Sequence, residues 1–200
     1  MIIEQPGALA QTRYYDPYFA AEAVKILPGE YYATAADELI VTVLGSCVGV
    51  CLRDRRSGMG GMNHFMLPEQ AESPLMPGSA RYGVFAMELL IEQLLKLGAQ
   101  REQLVAKVFG GGCVLPDMTD NDVGQCNVDF VHDYLRTQGI PVLAEDLLGC
   151  YPRKVYYFPS SGRVLVKKLQ RLHNSTLQER EQELDLSIKR AALTGPIDLF

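Results

Sequence analysis

Two side chains of this sequence have the chemistry of a nucleophile and its base: the thiol of Cys47 and the imidazole of His64. Cys47 follows a Gly-Ser dipeptide, which permits a tight turn and a close approach of substrate to the backbone. Only a thiolate is strongly nucleophilic, and because an unperturbed cysteine has a pKa of about 8.5, a base must lie within hydrogen-bond distance. His64 is the candidate, because it lies in an apolar stretch, whereas His132 and His173 lie in polar segments. The pattern therefore predicts a cysteine nucleophile activated by a histidine.

Cys47 also has a simpler interpretation as a buried core thiol, since unpaired cysteine is among the most buried residue types. A zinc site formed by Cys47, Cys51 and His64 is disfavoured by distance. Residues four apart on an extended strand are about 13 Å apart, whereas zinc–sulfur bonds are about 2.3 Å long. Cys51 is flanked by Val50 and Leu52 and is predicted to pack in the core without a catalytic role. We expect neither a metal nor another cofactor.

Composition limits the class of protein. A chain of 200 residues with 48% hydrophobic content fits one globular domain. A formal charge of −5 argues against a broad nucleic-acid surface, which needs clustered Lys and Arg. No apolar run approaches the roughly 20 residues that span a bilayer, and the N-terminal segment lacks a signal-peptide pattern, so we expect a cytoplasmic protein without membrane insertion. Five irregularly spaced cysteines predict reduced thiols.

One group of basic residues departs from the acidic average. We interpret it as a solvated hairpin edge protected by charge, with a site for an acidic partner as the alternative. Its members are Arg153, Lys154, Arg163, Lys167, Lys168 and Arg171.

Short apolar runs bounded by turn residues predict a series of strands. The first five are Val24–Leu27, Tyr31–Thr34, Leu39–Leu44, Cys47–Arg53 and Met59–Leu67. The turn at 54–58 joins the last two as a hairpin, which brings Cys47 and His64 near each other. Four later strands are predicted at Leu104–Phe109, Ile140–Ala144, Val155–Phe158 and Val164–Val166.

Two segments have the 3.6-residue apolar period of helices, Ala80–Leu97, with Ser79 as its cap, and Asp122–Thr137. Together with the strands they predict one mixed α/β domain over residues 24–170. Residues 1–23 are expected to form a loosely docked N-terminal extension. Residues 171–200 are expected to form a polar helical extension, with a helix at Leu177–Leu193 as a candidate for self-assembly.

Several short segments together resemble one known family. The main ones are Leu44-Gly45-Ser46-Cys47-Val48 and Asn63-His64-Phe65-Met66-Leu67-Pro68. The likeness continues through Ala80-Arg81-Tyr82, Phe109-Gly110-Gly111-Gly112, Val123-Gly124 with Asn127, and Arg153-Lys154-Val155 before Ser161-Gly162. On these segments, which extend from about Ile26 to Lys168, the chain resembles the CheD family, the chemoreceptor glutamine deamidases of bacterial chemotaxis.

The resemblance implies a layered sandwich of β-sheets with helices covering one face. It also implies hydrolysis of specific glutamine side-chain amides to glutamate, on the cytoplasmic helices of methyl-accepting chemoreceptors. Cys47 would be the nucleophile, His64 the base and Thr42 the residue that orients His64. The family motif has one more residue between threonine and cysteine, so Thr42 is assigned by assuming a one-residue deletion; a shift of one would turn a strand side chain to the opposite face. Backbone N–H groups of Ser46 and Cys47 are predicted to stabilise the oxyanion.

Two other functions use the same features. The first is a non-catalytic chemotaxis adaptor that binds receptors or a CheC-type phosphatase, which would need the surface but not the thiol. The second is a cysteine protease or transamidase, for which the sequence shows neither a peptide subsite nor a second amine site.

Overall fold

The computed structural model of this chain describes residues 7–67, 78–114 and 123–169. Its first seven strands are β1 (Ala8–Leu9), β2 (Thr12–Asp16), β3 (Ala21–Lys25), β4 (Glu30–Thr34), β5 (Leu39–Leu44), β6 (Val48–Asp54) and β7 (Gly60–Phe65). They are followed by helix α1 (Gly78–Lys96), a 3-10 turn (Arg101–Gln103), β8 (Leu104–Gly110), helix α2 (Val123–Thr137), β9 (Val142–Leu147), β10 (Arg153–Phe158) and β11 (Arg163–Lys168).

The strands form two sheets that pack face to face. The first sheet has the order β1-β4-β7-β6-β8-β9, and the second has the order β11-β10-β5-β3-β2. Apolar side chains from the inner faces of both sheets meet in one buried cluster, which includes Ile40, Leu44, Met62, Val155 and Tyr157. We call this the inner layer.

Both helices cover the outer face of the first sheet. Val48, Val50 and Leu52 point from β6 to that side and pack in a second buried cluster with residues such as Met87 of α1 and Val131 of α2. The alternation along β6 follows from the two-residue period of a strand. The predicted sandwich of sheets with helices on one face is therefore confirmed.

The predicted hairpin between the cysteine and histidine segments is present as β6 and β7, which pair antiparallel with Gly49 opposite His64. Its turn is stabilised by Asp54, whose Oδ1 accepts hydrogen bonds from the backbone N–H groups of Arg56 at 2.7 Å and Ser57 at 2.9 Å. Gly58 closes the turn with a φ of 78°, a left-handed conformation that favours glycine.

The predicted N-terminal extension differs from the structure in its described part. Residues 8–23 supply β1, β2 and most of β3, which pair within both sheets rather than lying loosely outside them. β1 and β2 are edge strands, so most of their side chains are only partly covered and show no alternating apolar pattern. Phe19 anchors the segment, with its ring centroid 5.0 Å from that of Tyr156 and 5.3 Å from that of Phe158.

Other boundaries lie close to their predicted positions. α1 begins at Gly78, so Ser79 lies inside the helix and not at its cap. β9 extends to Leu147, further than predicted. The prediction stopped early because Glu145 and Asp146 of this edge strand are polar and give no apolar signal. The predicted extension at 171–200, its helix Leu177–Leu193 and Arg171 lie outside the described residues. Within the described residues, no helix is both long and apolar enough to cross a membrane.

Candidate active site

Thr42, Cys47 and His64 come from three successive parts of the chain and meet in the inner layer. Thr42 lies on β5 of the second sheet, His64 lies on β7 of the first sheet, and Cys47 lies in the bend between β5 and β6. All three are buried, with exposed fractions of 1% for Thr42, 0% for Cys47 and 1% for His64. The site is therefore a polar cluster enclosed by the sandwich.

Thr42 fixes the orientation and the tautomer of His64. The Thr42 Oγ1 atom lies 2.9 Å from His64 Nδ1 and donates a hydrogen bond, also 2.9 Å long, to the backbone carbonyl of Ile26. A hydroxyl has a single proton, so with that proton on Ile26 the Thr42 oxygen must accept from Nδ1–H. The proton thus resides on Nδ1, and Nε2 carries the lone pair that a general base needs.

The imidazole is neutral at rest. Burial lowers the pKa of His64 to about 3, because the charged form would be desolvated in the inner layer. Within the described residues, His64 Nε2 is buried and makes no hydrogen bond, so the thiol–imidazole hydrogen bond that the sequence predicts is not formed here. Catalytic hydrogen bonds often tighten only when substrate is bound.

The strand register nevertheless places Cys47 and His64 on the same side of the hairpin. Val48 is opposite Phe65 and Gly49 is opposite His64, so extending the register by one residue puts Cys47 opposite Met66. Cys47 and His64 are then diagonal neighbours, a relationship with Cβ atoms about 7–8 Å apart or somewhat less. Cys47 also belongs to the inner-layer cluster of apolar residues.

The bend that carries Cys47 is fixed by hydrogen bonds to three consecutive carbonyls. The Gly45 carbonyl accepts from the Gly112 N–H at 2.7 Å, and the Cys47 carbonyl accepts from the Gly111 N–H at 2.8 Å. The Ser46 carbonyl accepts from the Asn127 side-chain amide at 3.0 Å. Because each carbonyl is held, the peptide planes around Cys47 have fixed orientations.

The glycine segment, Gly110–Gly112 at the end of β8, must be glycine at its first position for these hydrogen bonds to the bend to form. Gly110 has a φ of 115°, and a Cβ atom there would lie 2.1 Å from the Cys47 carbonyl oxygen. No other residue could bring the backbone this close to the bend. The segment is a close-packed turn beside Cys47.

Arg153 is buried beneath the glycine segment. It donates hydrogen bonds to the carbonyls of Gly110 and Leu148, and its NH2 group lies 3.3 Å from Asp146 Oδ1. Its exposed fraction is 0%, so the prediction that it lies on a solvated hairpin edge is wrong for this residue. The carbonyls and the carboxylate offset the desolvation of the guanidinium, and in return Arg153 holds the loops next to Cys47 in place.

The other described basic residues of that group remain near the surface. Lys154, Arg163 and Lys168 each lie over an aromatic ring, and Lys167 is exposed. These contacts agree with a charged edge and do not decide whether an acidic partner binds there.

Sequence reasoning gave no role to Asn127, which the structure places at the centre of the site's support. Its side chain donates to the Ser46 carbonyl and accepts from the Leu67 N–H at 2.7 Å, and the residue is fully buried. A signal was present in the sequence, because Asn127 lies midway between Val123 and Val131 on the apolar face of α2. A buried amide at such a position must find partners.

The five cysteines all lie within the described residues, form no disulfide there and differ in exposure. Cys47 and Cys51 are buried, whereas Cys113, Cys126 and Cys150 are exposed. Among the described residues, no three His, Cys, Asp or Glu side chains are grouped so that they could hold a metal ion.

Comparison with known proteins gives four findings. The family model of CheD, described as chemotactic sensory transduction, matches residues 66–168. A relative from Dechloromonas aromatica (strain RCB), named probable chemoreceptor glutamine deamidase CheD 1, is 57% identical over 192 residues, covering 96% of each chain. A relative from Thiobacillus denitrificans, named probable chemoreceptor glutamine deamidase CheD, is 59% identical over 194 residues, again covering 96% of each chain. A solved structure, Bacillus licheniformis hypothetical protein YfiH, covers 60% of this chain and 51% of its own at 12% identity and a TM-score of 0.38, too low to support an argument.

Proposed function

The chain belongs to the CheD family, and from that premise we propose that it is a chemoreceptor glutamine deamidase in which Cys47 is the nucleophile, His64 the general base and Thr42 the residue that orients His64. The observation that carries the assignment is the 2.9 Å contact between Thr42 Oγ1 and His64 Nδ1. It leaves the Nε2 lone pair available on the side of the hairpin where Cys47 lies. A buried threonine and histidine paired only for packing would not require the ring proton to be on Nδ1.

The reaction follows from these groups as acyl transfer. His64 Nε2 takes the thiol proton as Cys47 Sγ bonds to the side-chain carbonyl carbon of glutamine, giving a tetrahedral oxyanion. The C–N bond then breaks, and the leaving nitrogen takes the proton from Nε2 and departs as ammonia, leaving a thioester on Cys47. Water, deprotonated by His64, attacks the thioester and releases glutamate and the thiol.

The environment of the site suits this sequence of steps. A neutral imidazole can accept a proton, and its low pKa returns that proton readily to the leaving nitrogen. The backbone N–H groups of Ser46 and Cys47 stay our prediction for oxyanion donors, supported by the fixed peptide planes of the bend. A receptor glutamyl methyl ester would pass through the same thioester, so slow ester hydrolysis is expected as well.

We place the reaction in the cytoplasm, on glutamines of the cytoplasmic helices of methyl-accepting chemoreceptors. A CheC-type phosphatase is a proposed second partner. An adaptor function without turnover would need binding surfaces but neither the threonine–histidine contact nor the glycine segment fitted to the Cys47 bend.

One experiment tests the proposal. Receptor cytoplasmic fragments are incubated with the wild type and with Cys47→Ala, His64→Ala and Cys51→Ala variants, and amide-to-acid mass shifts are mapped by peptide mass spectrometry. We expect conversion by the wild type and by Cys51→Ala only. Undiminished conversion by Cys47→Ala would exclude the proposed nucleophile, and binding of fragments by every variant without any conversion would favour the adaptor.

A further inference from the structure

Tyr82 presents a buried polar atom that is left unsatisfied. It lies near the start of α1, its ring packs against the cluster beneath the helices, and its hydroxyl oxygen is buried without a hydrogen-bond partner in the described residues. Buried tyrosine hydroxyls normally find a partner. Three other tyrosines of this chain do so: Tyr32 donates to Glu38 at 2.7 Å, Tyr157 donates to the Leu52 carbonyl at 2.9 Å, and Tyr134 donates to Glu88.

A continuous set of contacts links the start of α1, which carries Tyr82, to the bend that carries Cys47. Asn127 joins the Ser46 carbonyl to the Leu67 N–H, so Leu67 lies next to the bend. A Cβ atom at Gly83 would lie 2.8 Å from the Leu67 side chain, so the α1 residue that follows Tyr82 packs directly on Leu67. The start of α1 is thereby connected to the Ser46–Cys47 bend through Leu67 and Asn127.

The electrostatics agree with this placement. Burial raises the pKa of Tyr82, and the nearby Cys47 side chain raises it further. The phenol therefore stays protonated across the physiological range. Its O–H can make a hydrogen bond only when an acceptor enters the site. Among the described residues three buried side-chain atoms make no hydrogen bond: the acceptor His64 Nε2, the donor Tyr82 O–H and the Arg153 Nε–H.

We propose that the Tyr82 hydroxyl donates a hydrogen bond to the carbonyl oxygen of the substrate carboxamide and stabilises the oxyanion that forms when Cys47 attacks. This inference rests on the proposed function, to which it adds a side-chain oxyanion donor. A donor without a partner in the resting site gains its hydrogen bond only with substrate, and most strongly as negative charge develops on the oxygen. Tyr82 is thus a catalytic residue, and not only part of the packing beneath α1.

The test is Tyr82→Phe, which removes the hydroxyl and keeps the ring, with Tyr134→Phe as the matched control. Deamidation of a receptor fragment, alkylation of Cys47 by iodoacetamide and the thermal midpoint are measured for each variant. We expect Tyr82→Phe to lower kcat by about 10²- to 10³-fold, the cost of losing one oxyanion donor, with KM within about twofold. Its Cys47 alkylation and thermal midpoint should match the wild type, whereas Tyr134→Phe should lose stability and keep its kcat.

Each other result contradicts the inference in a distinct way. Wild-type kcat in Tyr82→Phe would show that the hydroxyl does not touch the reacting oxygen, while leaving the deamidase proposal intact. A parallel loss of deamidation and of Cys47 alkylation would show that Tyr82 acts by arranging the thiol. Absence of conversion by the wild type would remove the proposed function itself.

Discussion

Cys47 and Cys51 lie at two positions of the same β6 region, both buried in the inner layer, yet their surroundings differ. Cys51 lies within the strand, with its Sγ 3.4 Å from Met62 Sδ, and burial raises the pKa of its thiol well above the ordinary value. Cys47 lies in the bend before the strand, where its own carbonyl and that of Gly45 accept hydrogen bonds from Gly111 and Gly112. Burial is common to both thiols, so the polar groups and the bent backbone must account for a difference in reactivity.

The comparison shows why one end of the strand can carry chemistry. Where β6 continues as a regular ladder, its backbone groups pair with β7 and β8 and its side chains pack. Where the ladder stops, the carbonyls of the bend are bound by donors from α2 and from the segment after β8. A fixed irregular backbone can aim N–H groups at a substrate, which a regular ladder cannot do.

Replacing each of the two cysteines by alanine tests most directly whether they differ in function. Cys47→Ala should lower kcat/KM for receptor deamidation by at least about 10⁴-fold, since no other group can form the thioester. Cys51→Ala should keep kcat/KM within about threefold and lose only packing. Initial rates of ammonia release measure both variants. Equal activities of the two variants would remove the distinction between the sites.

His64→Gln removes the base and keeps a polar side chain of similar reach. We expect a fall in kcat of about 10³-fold, because proton transfer to and from the substrate is lost. The control is His132→Gln, which lies on α2 with its Nε2 2.9 Å from Glu145 and should keep normal turnover. A His64→Gln enzyme with the wild-type kcat would show that another group activates the thiol.

Acid should destabilise the fold through His64. In the unfolded chain its pKa is about 6.5, whereas in the folded protein it is about 3, so the unfolded state binds the extra proton. The stabilisation is therefore complete above pH 6.5 and is lost as the pH falls toward 3, by roughly 3 kcal/mol between pH 7 and pH 4. Urea unfolding at several pH values should show a shallower decline in His64→Gln than in the wild type.

Asp54 also contributes to the pH dependence of stability, but in a different pH range from His64. Burial alone would raise its pKa, but hydrogen bonds from the backbone N–H groups of Gln100, Ser57 and Arg56 lower it below the usual value. Its contribution is also lost in acid, but only below about pH 4, where carboxylates protonate. If the free energy of unfolding fell equally steeply between pH 6.5 and pH 4 in the wild type and in His64→Gln, a buried neutral imidazole would be contradicted.

Thr42→Val should affect activity less than loss of the proposed nucleophile or base. It removes the acceptor of the Nδ1 proton, so we expect kcat to fall about 10- to 100-fold as the base loses its orientation, with about 1–3 kcal/mol lost in stability. Thr34→Val is the matched control, since the Thr34 hydroxyl accepts the Ala36 N–H at 2.9 Å and bonds to Glu38, not to His64. If both valine variants lose stability but keep full turnover, Thr42 is structural.

The hairpin that follows Cys47 and carries His64 could be predicted from the sequence, because turn residues at 54–58 and apolar strands on both sides are local signals. The burial of Arg153 could not, since its three acceptors, at Gly110, Leu148 and Asp146, come from other strands and loops. β1 and β2 were missed for a related reason: an edge strand is specified by its neighbour more than by its own side chains.

The position of Thr42 shows what a structure adds to a motif. A deletion of one residue could have turned it to the outer face of its strand. The pairing of β5 with β10, in which Thr42 lies opposite Val155, instead directs it into the inner layer beside His64. Contacts across a sandwich depend on how two sheets stack, and that stacking is not encoded in any short segment.

In the proposed reaction, Cys47 attacks the substrate glutamine with His64 as its base. The most direct measurement uses a receptor peptide in which a glutamine converted by the wild type is replaced by its diazoketone analogue, followed by mass mapping of all five cysteines. Our account predicts a stable adduct on Cys47, much slower to form in His64→Gln and unchanged in Cys51→Ala. An adduct on Cys51 or on an exposed cysteine, with Cys47 unmodified, would contradict it.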